Sequence, residues 1–361
     1  MVNPSSRQRF RELLRKIGSG EHTSRGLSRE EAAEAMALML NGDATPAQVG
    51  AFLIAHRIRR PEPQELAGML DHYEAHGPSL HSQGPHLPIS FGMPYDGRTR
   101  TAPVFPLTAL VLATAGHPVI LHGGRRMPIK YGITPMELLQ RVGIDLSGLT
   151  IAAVQRCLDQ ENMALTHQPL HFPAAEALVE IRDQLGKRPP VASLELLWSP
   201  HKGAHLLVSG FVHPPTESRA WAALAEHGGE RNVVTVKGLE GSTDIPTSRA
   251  GILAHVRYGQ AERHIFHPRD HGYFGEDLAW NGEEAWSRMA EAALLGHGPL
   301  RRAVSWNSGS YLWFLNRERS LPDCLAEADQ LLASGQVLQK RDRLRHLLRS
   351  MEPQRQHATC R

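Results

Sequence analysis

With 361 residues, 41% of them hydrophobic and 21% charged, the chain is long enough for two domains and can bury a substantial core. Forty Lys and Arg face 37 Asp and Glu, a formal charge of +3, so a polyanion partner has to be argued from clustering and not from overall charge. Three widely spaced cysteines, Cys157, Cys324 and Cys360, suggest neither a disulfide framework nor a Cys-x-x-Cys metal knuckle and suit a reducing cytoplasm.

The opening MVNPSSRQRF carries charge without an apolar stretch, and the longest apolar run, Ala102 to Gly116, is broken by Pro103 and Pro106. Neither a leader peptide nor a membrane span is expected. The first 80 or so residues read as short helices. Ser28 and Glu31 form a capping box beside Leu27, and that helix stops at Asn41-Gly42. Thr45-Pro46 starts a second helix, with proline where its missing N–H costs nothing and Val49, Phe52 and Leu53 on one face. A third runs from about Pro63 to Gly77.

From Leu87 the texture changes. LPISF leads into a Gly/Pro loop, FPLTALVLATAG reads as a buried helix, and HPVILHGG as a strand running into glycines. HLLVSGFV and RNVVTVKG repeat the strand-then-glycine pattern, FPAAEALVEIRDQLG reads as one amphipathic helix ending at Gly186, and Gly282 to about Leu348 is helical again. Strands alternating with helices imply a parallel sheet.

Histidines number 21, and His72/His76, His201/His205 and His267/His271 have i, i+4 spacing. None has the zincin pattern, so surface histidines are the preferred reading. No Walker loop, GxGxxG or GxSxG occurs, which leaves nucleotide and serine hydrolases without support.

Residues 26–77, above all NGDATPAQVGAFLIAHRIR, resemble the N-terminal helical domain of the anthranilate phosphoribosyltransferases. Leu121-His122-Gly123-Gly124-Arg125 is similar to that family's Lys-His-Gly-Asn-Arg, Lys130 and Gly132 follow in register, and Arg182 falls on the arginine that contacts anthranilate. GLEGSTD, at 238–244, sits where the family has an Asp-Glu magnesium pair. The resemblance implies an α plus α/β fold: a helical domain at 1–85 completed by about 168–205, and an α/β domain with a mostly parallel sheet at 86–167 and 206–350. It also implies dimerisation through the helical domains and an active cleft between the two. An unstructured tail is expected at 351–361.

The family's phosphate loop, Gly-Thr-Gly-Gly-Asp, lets backbone N–H groups approach the pyrophosphate. Here Gly92-Met93-Pro94-Tyr95-Asp96 stands in its place, followed by Gly97, and the family's Asn-Ile-Ser-Thr is Ala102-Pro103-Val104-Phe105. Proline removes a donor, and the polar ligands are gone. Thr243 and Asp244 replace Asp-Glu, leaving Asp244 as one weak candidate for Mg²⁺. A divergent branch of the family, which binds DNA and lacks the phosphoribosyl site, has a similar loop running into a Tyr-Asn-Gly turn, like Tyr95-Asp96-Gly97 here.

The resemblance therefore supplies two sets of candidate residues. A substrate-like pocket would use Gly92, Asp96, Gly97, His122, Gly123, Arg125, Lys130 and Arg182. A nucleic-acid groove would use Arg98, Arg100, Arg125, Arg126 and Lys130, their cations tracking phosphates along a strand. Arg57, Arg59 and Arg60 end a helix and read as C-terminal dipole partners, while Lys340 with Arg341, Arg343, Arg345 and Arg349 reads equally as a basic tail touching nucleic acid nonspecifically or as a frayed surface helix. The preferred expectation is a homodimeric nucleic-acid binder needing no cofactor. The alternative is a glycosyl or phosphoribosyl transferase using Mg²⁺ and an aromatic acid such as anthranilate.

Overall fold

A computed structural model describes residues 4–20, 22–92, 98–228 and 232–351. Four helices open the chain: α1 (Pro4–Gly18), α2 (Arg29–Leu40), α3 (Pro46–Arg59) and α4 (Pro63–His76). Ser28 and Thr45 each accept a hydrogen bond from the N3 backbone N–H while Glu31 and Gln48 reach back, so both helix starts are fixed by their own sequence. Gly68 on α4 lies against the Arg29 carbonyl, where a Cβ would come within 2.0 Å, and this close approach lets α2 and α4 pack tightly.

The remainder builds one seven-stranded sheet. In chain order come β1 (Ile89–Gly92), α5 (Phe105–Thr114), β2 (Val119–Gly123), α6 (Pro135–Arg141), α7 (Ile151–Glu161) and β3 (Met163–His167). Short helices α8 (Gln168–His171), α9 (Pro173–Glu176), α10 (Leu178–Leu185) and α11 (Val191–Leu194) lead to β4 (Leu206–Gly210), α12 (Pro214–His227) and β5 (Asn232–Val236). A hairpin, β6 (Gly251–Arg257) and β7 (Gln260–Phe266), precedes α13 (Glu283–Leu294), α14 (Arg301–Leu315), α15 (Leu321–Ala333) and α16 (Gln336–Ser350).

Strand order is β3-β2-β1-β4-β5-β6-β7, the first five parallel and the hairpin antiparallel. The chain winds one way from β1 through β2 and β3 and the other way from β4. Such a reversal opens a crevice beyond the carboxyl ends of β1 and β4. Helix α5 is buried all round, as its unbroken apolar sequence requires, and is boxed in by α14, α15 and α16.

There are two cores. One fills the sheet and its α5–α7 and α13–α16 helices. The other joins the N-terminal helices to Phe172, Leu194 and Trp198, and reaches Leu207, Val233 and Val256 on the sheet. The segment after β3 thus completes the helical layer. Residues 173–185, read from sequence as one helix, form two, α9 and α10, parted at Ala177. Met351, assigned from sequence to the tail, is fully buried and belongs to the first core, while 352–361 lie outside the described residues. No helix among the described residues is long and apolar enough to cross a membrane.

Candidate functional site

The altered phosphate loop, including Asp96 and Gly97, lies outside the described residues. Its two flanks are defined. Gly92 ends β1 with no room beside it, since a Cβ there would meet the Leu196 carbonyl at 2.1 Å. On the far flank Arg98 does not line a groove: its side chain is 3% exposed, and its guanidinium pairs with Asp244, itself 2% exposed. A buried carboxylate must be compensated, and Arg98 is the cation within reach.

Asp244 also accepts from the Val104 N–H at 2.9 Å. Burial pushes its carboxyl up, and Arg98 and the Val104 N–H pull it back. Glu240, unmarked by sequence reasoning, completes the arrangement. Its carboxylate accepts from the backbone N–H groups of Thr101 at 2.8 Å, Arg100 at 3.1 Å and Thr99 at 3.4 Å, and from the Thr101 hydroxyl at 2.9 Å. Burial opposes its ionisation, but these bonds outweigh it and hold the carboxyl at about 2. Three successive N–H groups facing one anion make a cradle of the kind that phosphates use. Here the anion is the protein's own, and only the placement of a charged residue in the glycine-rich GLEGSTD turn hinted at it.

The turn behind Asp244 is clamped. Tyr311 donates to the Thr243 carbonyl, Asn307 brackets Ile245 through its N–H at 2.7 Å and its carbonyl at 3.0 Å, and Trp306 donates to the Pro246 carbonyl at 3.1 Å. Mg²⁺ prefers near-octahedral oxygen ligands. Asp244 and Glu240, the carboxylates of this turn, are already held by a guanidinium and by backbone N–H groups, so these residues do not fit the metal. Among the described residues no cluster of three or more His, Cys, Asp or Glu side chains has metal-binding geometry; the stacked His72 and His76 rings, for example, stand 4.0 Å apart.

Across the sheet, His122 near the end of β2 is buried, with its ring edge-on to Trp198 at 5.1 Å, and burial lowers its pKa to about 3. It is a neutral imidazole. Gly123 is paired in register with His167 of β3. Arg182, expected as a carboxylate clamp, is 4% exposed and already holds Glu195 at 2.7 Å. The acid that answers it lies thirteen residues on, just past the last turn of α11, and not on its own helix. Arg125 pairs with Glu176 at 2.9 Å, Arg126 with Glu137 at 2.8 Å and with Glu283, and Arg100 with Glu240 at 3.3 Å. Arg100 and Arg125 keep exposed heads, 77% and 69%, and Lys130 is exposed with no ion pair among the described residues. The expected groove is therefore laced with acids. The C-terminal basic run is likewise tied down, Lys340 to Glu161 at 3.0 Å and Arg341 to Glu291 at 2.8 Å.

Residues 11–77 match the glycosyl transferase family's helical bundle domain and residues 99–338 its α/β domain. An anthranilate phosphoribosyltransferase of Moorella thermoacetica is 30% identical over 91% of this chain and 95% of its own length. One from Symbiobacterium thermophilum is 28% identical over 94% and 98%. This chain belongs to the anthranilate phosphoribosyltransferase family. Among solved members, the enzyme from Thermus thermophilus superposes with a TM-score of 0.77 at 25% identity, covering 93% of this chain and 99% of that one. The Saccharomyces cerevisiae enzyme, solved in complex with PRPP and Mg, superposes at 0.79 with 15% identity over 94% and 98%, a likeness of fold. Arg98, Glu240 and Asp244 come together at the turn that aligns with the family's magnesium pair.

Proposed function

We propose that this family member has given up metal-assisted phosphoribosyl transfer and binds nucleic acid in the cleft between its helical and α/β layers, as a homodimer. The observation that carries the reading is the self-occupied donor end: Asp244 is held by Arg98, and Glu240 by the N–H groups of residues 99–101. A pyrophosphate and its metal would have to displace an internal guanidinium and an internal carboxylate together. Charged hydrogen bonds are worth roughly 1.5–3 kcal/mol each, so that displacement would weaken donor binding by orders of magnitude.

The exposed heads of Arg100, Arg125 and Lys130 supply the contacts to phosphate. The guanidinium heads of Arg100 and Arg125 are largely solvated although their carboxylates are largely buried, so each has room to meet a nucleic-acid phosphate as well. Ile58 on α3, 75% exposed, is an apolar contact available to a second copy. A labelled single-stranded oligonucleotide should shift with the protein at low salt and be released as salt rises. No shift at low salt overturns the reading.

Phosphoribosyl transfer is the second reading, favoured by the length over which the chain follows anthranilate phosphoribosyltransferases. It predicts loss of anthranilate fluorescence in the presence of phosphoribosyl pyrophosphate and Mg²⁺. A flat trace removes it.

A further inference from the structure

A cavity of about 170 Å³ opens where the helical layer meets the carboxyl end of β4, at the reversal point of the sheet. Arg57 and Arg60 from the end of α3, Arg188 from the loop before α11 and Arg219 from the second turn of α12 line it, over apolar walls that include Leu197 and Phe211. Residues far apart in sequence thus bring four guanidinium groups to one hollow. Arg57 and Arg60 also end α3, where cations suit the helix dipole, but Arg188 and Arg219 bring further positive charge to the same hollow from other elements.

The acid in this wall is already engaged by other partners. Glu217 is buried and turned to Arg263, which holds it at 2.9 and 2.8 Å, and to the Thr235 hydroxyl at 2.7 Å. Arg57 donates to the Arg188 carbonyl and so ties α3 to the loop. Arg60 and Arg219 make no ion pair and no side-chain hydrogen bond among the described residues. A further fact points to an anion: Arg60 holds φ 66°, a left-handed backbone that a non-glycine residue adopts at a cost and that clusters at ligand sites.

We propose that this cavity is a binding site for a small organic phosphate monoester. Arg60 and Arg219 would clasp the phosphate with forked hydrogen bonds, and the organic body would lie on Leu197 and Phe211. At roughly 10–15 Å³ per water-sized probe, the volume suits a body plus phosphate of on the order of ten heavy atoms. The cavity adjoins the turn that carries Glu240 and Asp244, since its Gly210 packs against the Gly241 and Ser242 carbonyls, but none of Arg98, Glu240 and Asp244 lines it, and it does not depend on the nucleic-acid reading.

The test is calorimetric titration of the full chain at low ionic strength with phenyl phosphate, inorganic phosphate and benzyl alcohol. One saturable site per chain is expected, with phenyl phosphate tighter than inorganic phosphate and benzyl alcohol silent. Arg219→Ala should weaken phenyl phosphate roughly tenfold or more, the worth of one charged hydrogen bond, and Arg219→Lys should recover part of the loss. Arg60→Gly, which suits the backbone while removing the charge, should act alike. Arg156→Ala, on the exposed face of α7, should change nothing. Absence of saturable binding, binding unaltered by both Arg219→Ala and Arg60→Gly, or equal loss in Arg156→Ala overturns the proposal. Oligonucleotide binding is read separately in a gel shift, so either result can fail alone.

Discussion

The Arg98 guanidinium faces the Asp244 carboxylate inside the protein, across 146 residues of sequence, with both side chains almost wholly buried. Breaking such a pair leaves one uncompensated charge. Arg98→Ala should therefore destabilise the fold by about 3–5 kcal/mol, whereas Arg98→Met combined with Asp244→Leu should cost far less. Urea denaturation of the wild type, both single variants and the double variant measures the coupling; a single-variant loss below about 1 kcal/mol would show that the pair is not what compensates Asp244.

The second buried pair, Arg182 with Glu195 at 2.7 Å, makes a parallel prediction. Arg182→Ala should lower stability by about 3–5 kcal/mol through the stranded Glu195. A variant as stable as the wild type would return Arg182 to the role of a ligand clamp.

Acid should act in two stages. His122 is held near 3, and His167, His201 and His255 near 4, all by burial in the first place. These folded-state values lie below the ordinary 6.5, so the unfolded chain binds more protons, and stability falls as pH drops from about 6.5 towards 4. His122 alone contributes on the order of a few kcal/mol to that slope. Glu240 and Glu65, each held at about 2, extend the loss from about 4.5 downwards. Urea midpoints measured from pH 7 to 4 should decline, with a shallower slope in His122→Gln. A flat profile contradicts the assignment.

If Arg125 and Lys130 touch phosphates, Arg125→Glu and Lys130→Glu should weaken oligonucleotide binding similarly for every sequence. Each should also reduce the slope of log Kobs against log salt by about 1. Filter binding from 50 to 200 mM salt reads this directly, and an unchanged slope excludes the residue from the interface.

The elements that the sequence marks locally are the ones read correctly from it. Ser28 and Glu31, or Thr45 and Gln48, stand three residues apart, and their reciprocal bonds need nothing from the rest of the chain. Helix α5 declares itself by being apolar on every side. The hairpin of β6 and β7 was hidden because β7 is an edge strand whose exposed Glu262 and Arg263 blur the alternation. In the site, the loss of the family's phosphate ligands is legible, whereas their internal replacement is not. Glu240 and Arg98 look like ordinary surface charges until the fold brings residues 98–104 against the turn at 239–244. Arg182 misled for the same reason, since its acid sits outside its own helix.

Phe172 and Trp198 fill the core of the N-terminal helices. On the ribosome, α1–α4 will emerge roughly a hundred residues before the side chains that finish their interior, and Tyr73 waits throughout for both aromatic partners. Nascent chains halted near residue 85 should expose this unfinished surface to chaperones, and those extended past Trp198 should lose it, so the order of synthesis postpones docking of the helical layer until β1 to β3 have already been made.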